Sequence, residues 1–475
     1  MKQKAVLLWI ILACPFYLSA QQKCNCEATF KWVKETFEKN DAGFEYALQR
    51  KGKDSYEKNN TVILNKVKKA ITNDECADVI REWLSFFRKA HFAFFPNNNN
   101  NNTLAKVNTG QDSIVFSEDQ IKQSLSNSNT PTLEGIWHTG AYKIGIVKKN
   151  NITRGIILAS SNNAWKPHWV KLKINQDSSG VYYMGDHSPQ KFDKAKLLGK
   201  NTLKLGSIYL DRLYPKFQEN DTSIALYLKE ISTDVPFIQK VSANTTLFRI
   251  PSFIESEKKR IDSLIQANET SLKSTENLII DLRNNGGGSD DSYGNIIPFL
   301  YTNPIRIVNL EFLSTPLNNK RMEEYLSIPD LSEKNKKDIN SALKKLNDNP
   351  GKFVNLEEGR IVDIQKLDSV LPKPKHVAVI INENNGSTTE QFLLAAKQSK
   401  KVKLYGVTTM GVLDISNMYF IDSPDKAFKL GYCLSKSYRI PDMAIDGKGI
   451  MPDYYIDKSI PDEQWLSFVQ NILEE

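Results

Sequence analysis

Two apolar segments about a hundred residues apart constrain the fold of this chain more than any other feature. Both are rich in β-branched residues and end abruptly in small polar residues and glycine, at residues 278–288 and 377–390. Such a run predicts a buried parallel strand, and its polar end predicts a tight loop at one edge of the sheet. We therefore expect both loops at the carboxyl edge of an α/β sheet, where ligands bind.

The two loops carry complementary chemistry. The first contains three successive glycines, residues 286–288, whose backbone N–H groups can come close to a ligand. The second presents Ser387 immediately before an amphipathic helix. Acyl transfer requires a nucleophile and an oxyanion hole, and these two loops could supply both.

Each of these motifs also has a purely structural interpretation. Ser387 and Glu390 have the spacing of a capping box at a helix start, and the glycine loop could be only a turn. Asp446 and Asp453 could each orient a histidine, but they also lie in a segment rich in turn formers. His91 follows an aromatic helix and could be a packed core residue.

The N-terminus has the pattern of a secretory signal. Two lysines precede the apolar run 5–13, and residues 18–20 resemble a cleavage site. We therefore expect residues 1–20 to be removed and the protein to be periplasmic, cell-surface or secreted. Lipidation at Cys14 is the alternative, and it is the one route by which we expect membrane association.

The charge pattern and the cysteine spacing argue against nucleic-acid binding and against a zinc site. The net charge of +8 comes from interspersed residues of both signs, and no nucleic-acid motif accompanies the lysine-rich stretches. Export permits disulfides, so Cys24 or Cys26 can pair with Cys76, whereas Cys433 lies in an apolar strand. No second cysteine or histidine pair follows at zinc spacing, and we expect no metal and no organic cofactor.

The pattern along the chain predicts several domains. The expected order is a signal peptide at 1–20, a helical segment at 21–96, an Asn-rich linker at 97–112, an antiparallel β domain (barrel or sandwich) at 113–236, and an α/β core with a mainly parallel sheet at 240–475. Within the core we place strands near 417–421 and 428–439 and a helical insertion at about 319–347.

Taken together, the motifs resemble the C-terminal-processing and tricorn-core superfamily of serine peptidases. Five family motifs occur in order: a "DGH"-like segment at 87–91, "DLRxNxGG" at 278–288, the nucleophile motif Gly-Ser-x-x-Glu at 386–390, "GxxTxG" at 404–411 and "ExxGxxPD" at 445–453. None is specific alone, but their combination is.

The resemblance implies a role for each matching residue. The implied site comprises the nucleophile Ser387, the tricorn-type general base His91, the acid Asp446 that holds the imidazolium, the oxyanion donors Gly287 and Thr388, and the supporting residue Glu390. It implies a secreted serine peptidase, cleaving internally or at the carboxyl terminus, that hydrolyses peptide or protein substrates through an acyl-enzyme.

The chain also departs from the family pattern. Val412 occupies the position of the lysine in Ser–Lys relatives, and Lys89 and Ala90 replace the Asp-Gly before the histidine. No segment resembles a PDZ domain. Two alternatives therefore stay open: a peptide- or lipid-binding protein on the same scaffold, like the family's retinoid-binding relatives, and an esterase that uses the same triad.

Overall fold

The structure is a computed structural model that describes residues 24–97, 112–149, 152–219, 222–329 and 331–475. The predicted signal segment, including Cys14, and most of the predicted linker lie outside the described residues. None of the helices in these ranges is both long enough and apolar enough to cross a lipid bilayer.

The regular elements of the described ranges are as follows. The α-helices are α1 (Cys26–Asn40), α2 (Phe44–Lys51), α3 (Lys53–Val67), α4 (Asn73–Ser85), α5 (Glu118–Ser124), α6 (Thr222–Ser232), α7 (Lys258–Ala267), α8 (Glu269–Ser274), α9 (Ile297–Leu300), α10 (Pro316–Leu326), α11 (Glu333–Asn347), α12 (Thr388–Ala396) and α13 (Trp465–Glu474). The strands are β1 (Ala93–Pro96), β2 (Gly135–Thr139), β3 (Tyr142–Lys149), β4 (Ile152–Ser160), β5 (Val170–Ile174), β6 (Gly180–Tyr183), β7 (Pro189–Phe192), β8 (Ala195–Leu198), β9 (Thr202–Leu205), β10 (Ile208–Tyr214), β11 (Phe237–Lys240), β12 (Thr245–Arg249), β13 (Asn277–Asp281), β14 (Ile305–Val308), β15 (Leu310–Leu313), β16 (Phe353–Asn355), β17 (Val362–Gln365), β18 (His376–Ile381), β19 (Val402–Gly406), β20 (Ile415–Asp422), β21 (Phe428–Ser437) and β22 (Tyr454–Tyr455).

The chain forms two compact units, each built from three separate segments. The first contains the described residues within 24–97, 304–366 and 410–450, and the second contains those within 112–303, 367–409 and 451–475. Each unit therefore joins residues that are far apart in the sequence.

The first unit contains the predicted N-terminal helices. Its core is aromatic: the Trp83 ring makes edge contacts with Phe30 and Phe37 at centroid distances of 5.5 and 5.6 Å. A disulfide joins Cys26 of α1 to Cys76 of α4, which settles the open choice of pairing and leaves Cys24 as a thiol beside it. This bond and the aromatic core fix the helices against each other.

An antiparallel sheet completes the first unit. Strand β21 pairs with β1, β15 and β20, and β15 also pairs with β16. The strands predicted near 417–421 and 428–439 are β20 and β21, and the prediction that they belong with the mainly parallel sheet of the α/β core is wrong. They instead form an antiparallel pair (Tyr419 opposite Tyr432), because only the short turn 423–427 separates them and a parallel pairing needs a much longer crossover.

The second unit contains the predicted β domain as one nine-stranded antiparallel sheet. The strand order is β7-β6-β5-β4-β3-β2-β10-β9-β8, so the two end strands follow each other in the chain. The Ala195 N–H at the start of β8 donates to the Ser178 carbonyl at 2.7 Å, and the inward side chains share one core. The sheet therefore curls around a single interior, which favours the barrel over the sandwich.

The second unit also contains the predicted parallel sheet, in the order β11-β12-β13-β18-β19-β22. Every neighbouring pair from β12 to β22 is parallel, and β11 is antiparallel to β12. All five residues of β13 are buried, as are the last five of β18, which explains their uninterrupted apolar sequence. The two informative strands lie side by side, with Asp281 opposite Ile380.

A lysine lies inside the nine-stranded sheet. The Lys171 side chain has no solvent exposure, and its Nζ lies 3.7 Å from the ring centroids of both Tyr142 and Trp165. The Nζ donates one hydrogen bond, at 3.1 Å, to the Met184 carbonyl. Burial lowers the pKa of Lys171 to about 7.

We predict that Lys171 makes the stability of this domain depend on pH. The unfolded chain holds the lysine proton up to about pH 10.4, so between pH 7 and that value the unfolded state binds more protons and stability rises with pH. Urea unfolding followed by tryptophan fluorescence at pH 7 to 9.5 should show this rise in the wild type and a smaller one in Lys171→Met. Equal slopes in the two proteins would contradict the prediction.

Candidate active site

A buried ion-pair cluster stabilises the glycine loop that follows β13. Asp281 is fully buried, and its carboxylate accepts hydrogen bonds from the backbone N–H and the Nε of Arg283, both at 3.0 Å. The Arg283 guanidinium also pairs with Glu230 at 2.7 Å. Burial raises the pKa of Glu230 to about 7, with a further contribution from the Asp281 charge. Breaking such a buried pair costs about 3–5 kcal/mol, so the cluster fixes the path of the loop.

Asparagine side chains join the two predicted loops. The Asn285 amide donates to the Ile250 carbonyl at 3.1 Å, and its Oδ1 accepts from Thr389 Oγ1 at 2.8 Å. Asn385 in turn donates to the Asn285 carbonyl at 3.0 Å. The expectation that both loops meet at the carboxyl edge of the parallel sheet is therefore correct.

Ser387 adopts a strained backbone conformation at the start of α12. Its φ is +56° and its ψ is −128°, a region that non-glycine residues rarely occupy. Its side chain makes no capping hydrogen bond, so the capping-box interpretation is wrong. An N-cap residue that bonds its helix typically has a negative φ in the extended region, whereas the turn gives Ser387 a positive φ. Its hydroxyl is therefore not used to cap the helix.

Gly287 lies directly against Ser387. A Cβ on Gly287 would be 2.8 Å from the Ser387 Cβ and 2.7 Å from the Gly386 carbonyl, and its φ of +104° also requires glycine. Its N–H donates to Asn285 Oδ1 at 3.0 Å. The Thr388 N–H, by contrast, has no acceptor among the described residues of its unit, while the Thr388 hydroxyl donates to the Gly288 carbonyl at 3.0 Å.

Glu390 is fully buried in the first turn of α12 and does not complete a capping box. Its carboxylate accepts a hydrogen bond from the hydroxyl of Thr409, in the turn after β19. This bond joins the nucleophile motif to the "GxxTxG" segment. The predicted supporting role of Glu390 thus has a specific partner that the sequence did not indicate.

His91 is held in place through its backbone and its ring. Its carbonyl accepts two hydrogen bonds from Arg88, at 2.7 Å from Nη2 and 3.1 Å from Nε, and Arg88 pairs with the fully buried Asp41. The His91 Nδ1 lies 2.6 Å from the Ile415 carbonyl. Because a carbonyl can only accept, Nδ1 carries the proton and Nε2 is the basic nitrogen. Burial lowers the pKa of His91, and the Arg88 charge adds to this effect.

Asp446 contacts the segment that holds His91, and we had expected it to hold the imidazole itself. Its carboxylate instead accepts the N–H groups of Leu413, Asp414 and Ile415, at 2.6, 2.7 and 3.2 Å. The ring nitrogen Nδ1 faces the Ile415 carbonyl, so the expected direct bond from Asp446 to Nδ1 is replaced by this indirect link. Burial, together with the nearby Asp414 charge, raises the pKa of Asp446.

A second carboxylate completes this arrangement. Asp414 accepts the N–H groups of Ile445 and Asp446 at 2.6 and 2.8 Å, and it pairs with Arg439 at 2.7 Å. Each aspartate thus accepts hydrogen bonds from the loop that carries the other, an arrangement that we call the mutual clasp.

The structure brings the six predicted site residues together as two groups. Ser387, Gly287, Thr388 and Glu390 surround the start of α12 in the second unit. His91 and Asp446 both contact residues 413–415 in the first unit. The supporting residues Asp41, Arg88, Asp414 and Thr409 were not predicted, because the pairs Asp41–Arg88, Thr409–Glu390 and Asp414–Asp446 join residues 19 to 47 apart and follow no local pattern.

A large cavity opens at the carboxyl edge of the parallel sheet, within the second unit. Its volume is about 800 Å³, within the usual range for ligand sites. Its walls include Asn284 of the glycine loop, Asn382 of the serine loop and Trp465. This is the edge at which the sequence predicts a ligand.

Comparison with known proteins gives one family. The model of "Peptidase family S41" matches residues 244–456. A search of curated proteins finds no match.

Three solved structures illustrate the fold similarity. They are a lipoprotein from Streptococcus agalactiae (13% identity, 98% of this chain and 99% of the other, TM-score 0.37), mature CPAF (11%, 95% and 96%, 0.48) and the photosystem II D1 C-terminal processing protease (12%, 95% and 98%, 0.38). The low identities and TM-scores leave the family model as the informative comparison. Residues 244–456 match the model of peptidase family S41, in agreement with the resemblance drawn from the motifs.

Proposed function

We propose that this protein is an active serine peptidase that cleaves peptide bonds through an acyl-enzyme on Ser387. The main support is the backbone of Ser387, which is strained and leaves the hydroxyl out of the helix cap, beside the glycine loop. Strain of this kind is typical of nucleophiles held on a sharp turn between strand and helix. A serine that only capped a helix would not need it.

In this mechanism His91 is the general base. Its Nε2 takes the proton of the Ser387 hydroxyl as Oγ attacks the substrate carbonyl carbon, and it then returns the proton to the leaving amine. Water repeats the sequence on the acyl-enzyme and releases a peptide with a new carboxylate. The hydrogen bond from Nδ1 to the Ile415 carbonyl supports this role because it fixes the tautomer.

Asp446 acts as a positioning residue in this proposal. It accepts three N–H groups from residues 413–415 and so fixes the carbonyl that holds His91. The oxyanion that forms on the substrate is stabilised by the Thr388 N–H, together with the Gly287 N–H. The Gly287 donor is shared with Asn285 Oδ1, so Thr388 is the principal donor.

We also propose export from the cytoplasm. The signal-like segment 1–20 motivates this, and the Cys26–Cys76 disulfide supports it because such bonds persist in oxidising compartments. N-terminal sequencing of protein expressed from the full chain should begin at residue 21. A mature chain that begins at a lipidated Cys14 would instead indicate membrane anchoring.

Active-site labelling tests the nucleophile and the base. A fluorophosphonate probe should label the wild-type protein, and Ser387→Ala and His91→Ala should each abolish labelling and lower kcat by about 10⁴-fold or more. Ser274→Ala, at an exposed serine on α8, is the matched control and should label normally. No labelling of folded wild type would refute the proposal and favour a binding protein, whereas labelling with hydrolysis of esters but no peptides would favour an esterase.

The pH dependence of hydrolysis tests the state of His91. Its neutral form is the active one, and burial lowers its pKa, so activity should persist to lower pH than with an ordinary histidine. The acid limb of kcat/KM should therefore have its midpoint below about 6.5. A midpoint above that value would show that the charged form of His91 is stabilised rather than disfavoured.

A pair of glycine variants tests the loop. Gly287→Ala places a methyl group against Ser387, so kcat/KM should fall by about 100-fold or more, as when an oxyanion donor is lost. Gly286→Ala is the matched control, because its Cβ would meet no atom within 4 Å, and its activity should change only a few-fold. Equal losses in the two variants would show that the close approach at Gly287 is unimportant.

A further inference from the structure

A buried carboxylate oxygen without a partner belongs to the wall of the large cavity at the carboxyl edge of the parallel sheet. Glu230 lines this cavity and is only 1% exposed. Its Oε2 accepts a hydrogen bond from Arg283 Nη2 at 2.7 Å, whereas its Oε1 has no partner among the described residues. An oxygen that is buried and unpaired is costly, so a ligand that supplies the missing donor would bind favourably here.

The cavity is lined by residues other than those proposed to react. Asn284 and Asn382 belong to its lining, but Ser387 and Gly287 do not. Ser207, in the turn between β9 and β10, also lines the cavity, so the nine-stranded sheet contributes part of the wall. A ligand of this cavity would therefore be recognised by side chains that have no part in the proposed chemistry.

The charges of the lining favour a cation. Five acidic side chains and four basic ones line the cavity, so the lining carries one net negative charge when all of them are ionised. Within this set Lys204 pairs with Asp462, and Arg283 pairs with Asp281. A ligand with a single positive charge would neutralise the remainder.

The ionisation of Glu230 agrees with an incomplete set of partners. Burial raises the pKa of Glu230 to about 7, the Asp281 charge adds to this effect, and the charges of Arg283 and Arg249 oppose it. Near neutral pH the carboxyl group is therefore only partly ionised. An ammonium group beside Oε1 would favour its charged form.

The rest of the wall suits the body of a peptide. Trp465 and Ile456 are buried apolar residues of the lining, and Asn284 and Asn382 bring amide groups to it. The volume of about 800 Å³ lies within the roughly 300–1,000 Å³ of sites that enclose a drug-sized ligand. A fitting ligand thus has an ammonium group for Glu230 and a short body that is partly apolar.

We propose that this cavity binds the amino terminus of a peptide, whose ammonium group donates a hydrogen bond to Glu230 Oε1. The choice of a peptide rests on the proposed function, because each hydrolysis releases a peptide with a new amino terminus. Ammonium groups form strong, charge-assisted hydrogen bonds with carboxylates. The class of ligand is therefore a peptide with a free amino terminus.

Calorimetric titration of full-length Ser387→Ala protein tests this site without any dependence on turnover. The probes are Ala-Leu-Ala amide and its N-acetylated form, which differ at the amino terminus. Near neutral pH the free amine should bind about tenfold or more tightly than the acetylated peptide, and Glu230→Gln should remove this difference. Glu255→Gln, at an exposed glutamate outside the lining, is the matched control and should bind as the parent does.

A second variant locates the peptide and leaves the ion pairs intact. Glu230 also lines a neighbouring cavity of about 280 Å³, whereas Ser207 lines only the larger one. Ser207→Trp places a bulky side chain at this exposed position, so it should weaken binding of the free amine by about tenfold or more through occlusion.

The pH dependence of binding to the parent Ser387→Ala protein needs no change in the cavity. Affinity for the free amine should be greatest between about pH 7 and 8, because Glu230 gains a proton below this range and the peptide amine loses one above it. The acetylated peptide should show no such maximum.

Several outcomes would overturn the inference. Equal affinities for the two peptides, or an affinity for the free amine that does not change with pH, would remove the ammonium group from recognition. Binding that Glu230→Gln or Ser207→Trp leaves unchanged would place the peptide elsewhere, and butylamine that binds as tightly as the peptide would show a site for simple amines. Wild-type protein that binds the free amine at this cavity but hydrolyses nothing would refute the proposed function and leave this inference standing.

Discussion

Buried carboxylates paired with arginine fix the geometry of both groups of site residues. In the second unit, Asp281 and Arg283 set the path of the glycine loop. In the first, Asp41 and Arg88 hold the His91 carbonyl. The desolvation of such pairs offsets much of their attraction, so they add little net stability, yet losing one partner costs about 3–5 kcal/mol. Their main effect is therefore to select one backbone conformation over its competitors.

The electrostatic surroundings of the proposed base follow from the same arrangement. Arg88 anchors the His91 backbone and also places a positive charge near its ring, which disfavours the imidazolium. Asp41 opposes that charge, and the Ile415 carbonyl favours a proton on Nδ1. The Arg88–Asp41 ion pair thus sets the position of the histidine backbone, and the Ile415 carbonyl sets the nitrogen on which it acts. Arg88 contributes both to the position of His91 and to its basicity, although burial is the larger cause of the lowered pKa.

Sequence predicted those parts of the fold whose signals are local. The strands β13 and β18 were visible as apolar runs, the N-terminal helices as repeated aromatic faces, and the β domain as short strands between turns. The antiparallel sheet of the first unit was not visible as such, because β21 pairs with β1, which lies more than 300 residues earlier. The contact between the Ser387 loop and the glycine loop could be predicted because their two strands are adjacent in the sheet. The ring contact of His91 with Ile415 could not, because it joins segments that are distant in the sequence.

The local sequence pattern also predicted the wrong structure at the start of α12, where the turn before the helix fixes the backbone conformation. Ser387 and Glu390 have the residue types and spacing of a capping box, but a positive φ at Ser387 prevents the hydrogen bond. Thr72 and Glu75 have the same spacing at α4 and do form the box, because Thr72 is extended. The difference between the two helix starts lies in the backbone, which the strand and loop before Ser387 determine. A capping-box sequence that does not form a capping box therefore points to a different role for its serine.

The mutual clasp of Asp414 and Asp446 has an evolutionary consequence. Each carboxylate accepts the N–H groups of the other's loop, so the loss of either one strands buried donors in the opposite loop. A lineage that has lost one aspartate keeps only half of the clasp and leaves donors in one loop without their acceptor. The two positions should therefore vary together across related chains, as a single inherited unit rather than as two independent sites.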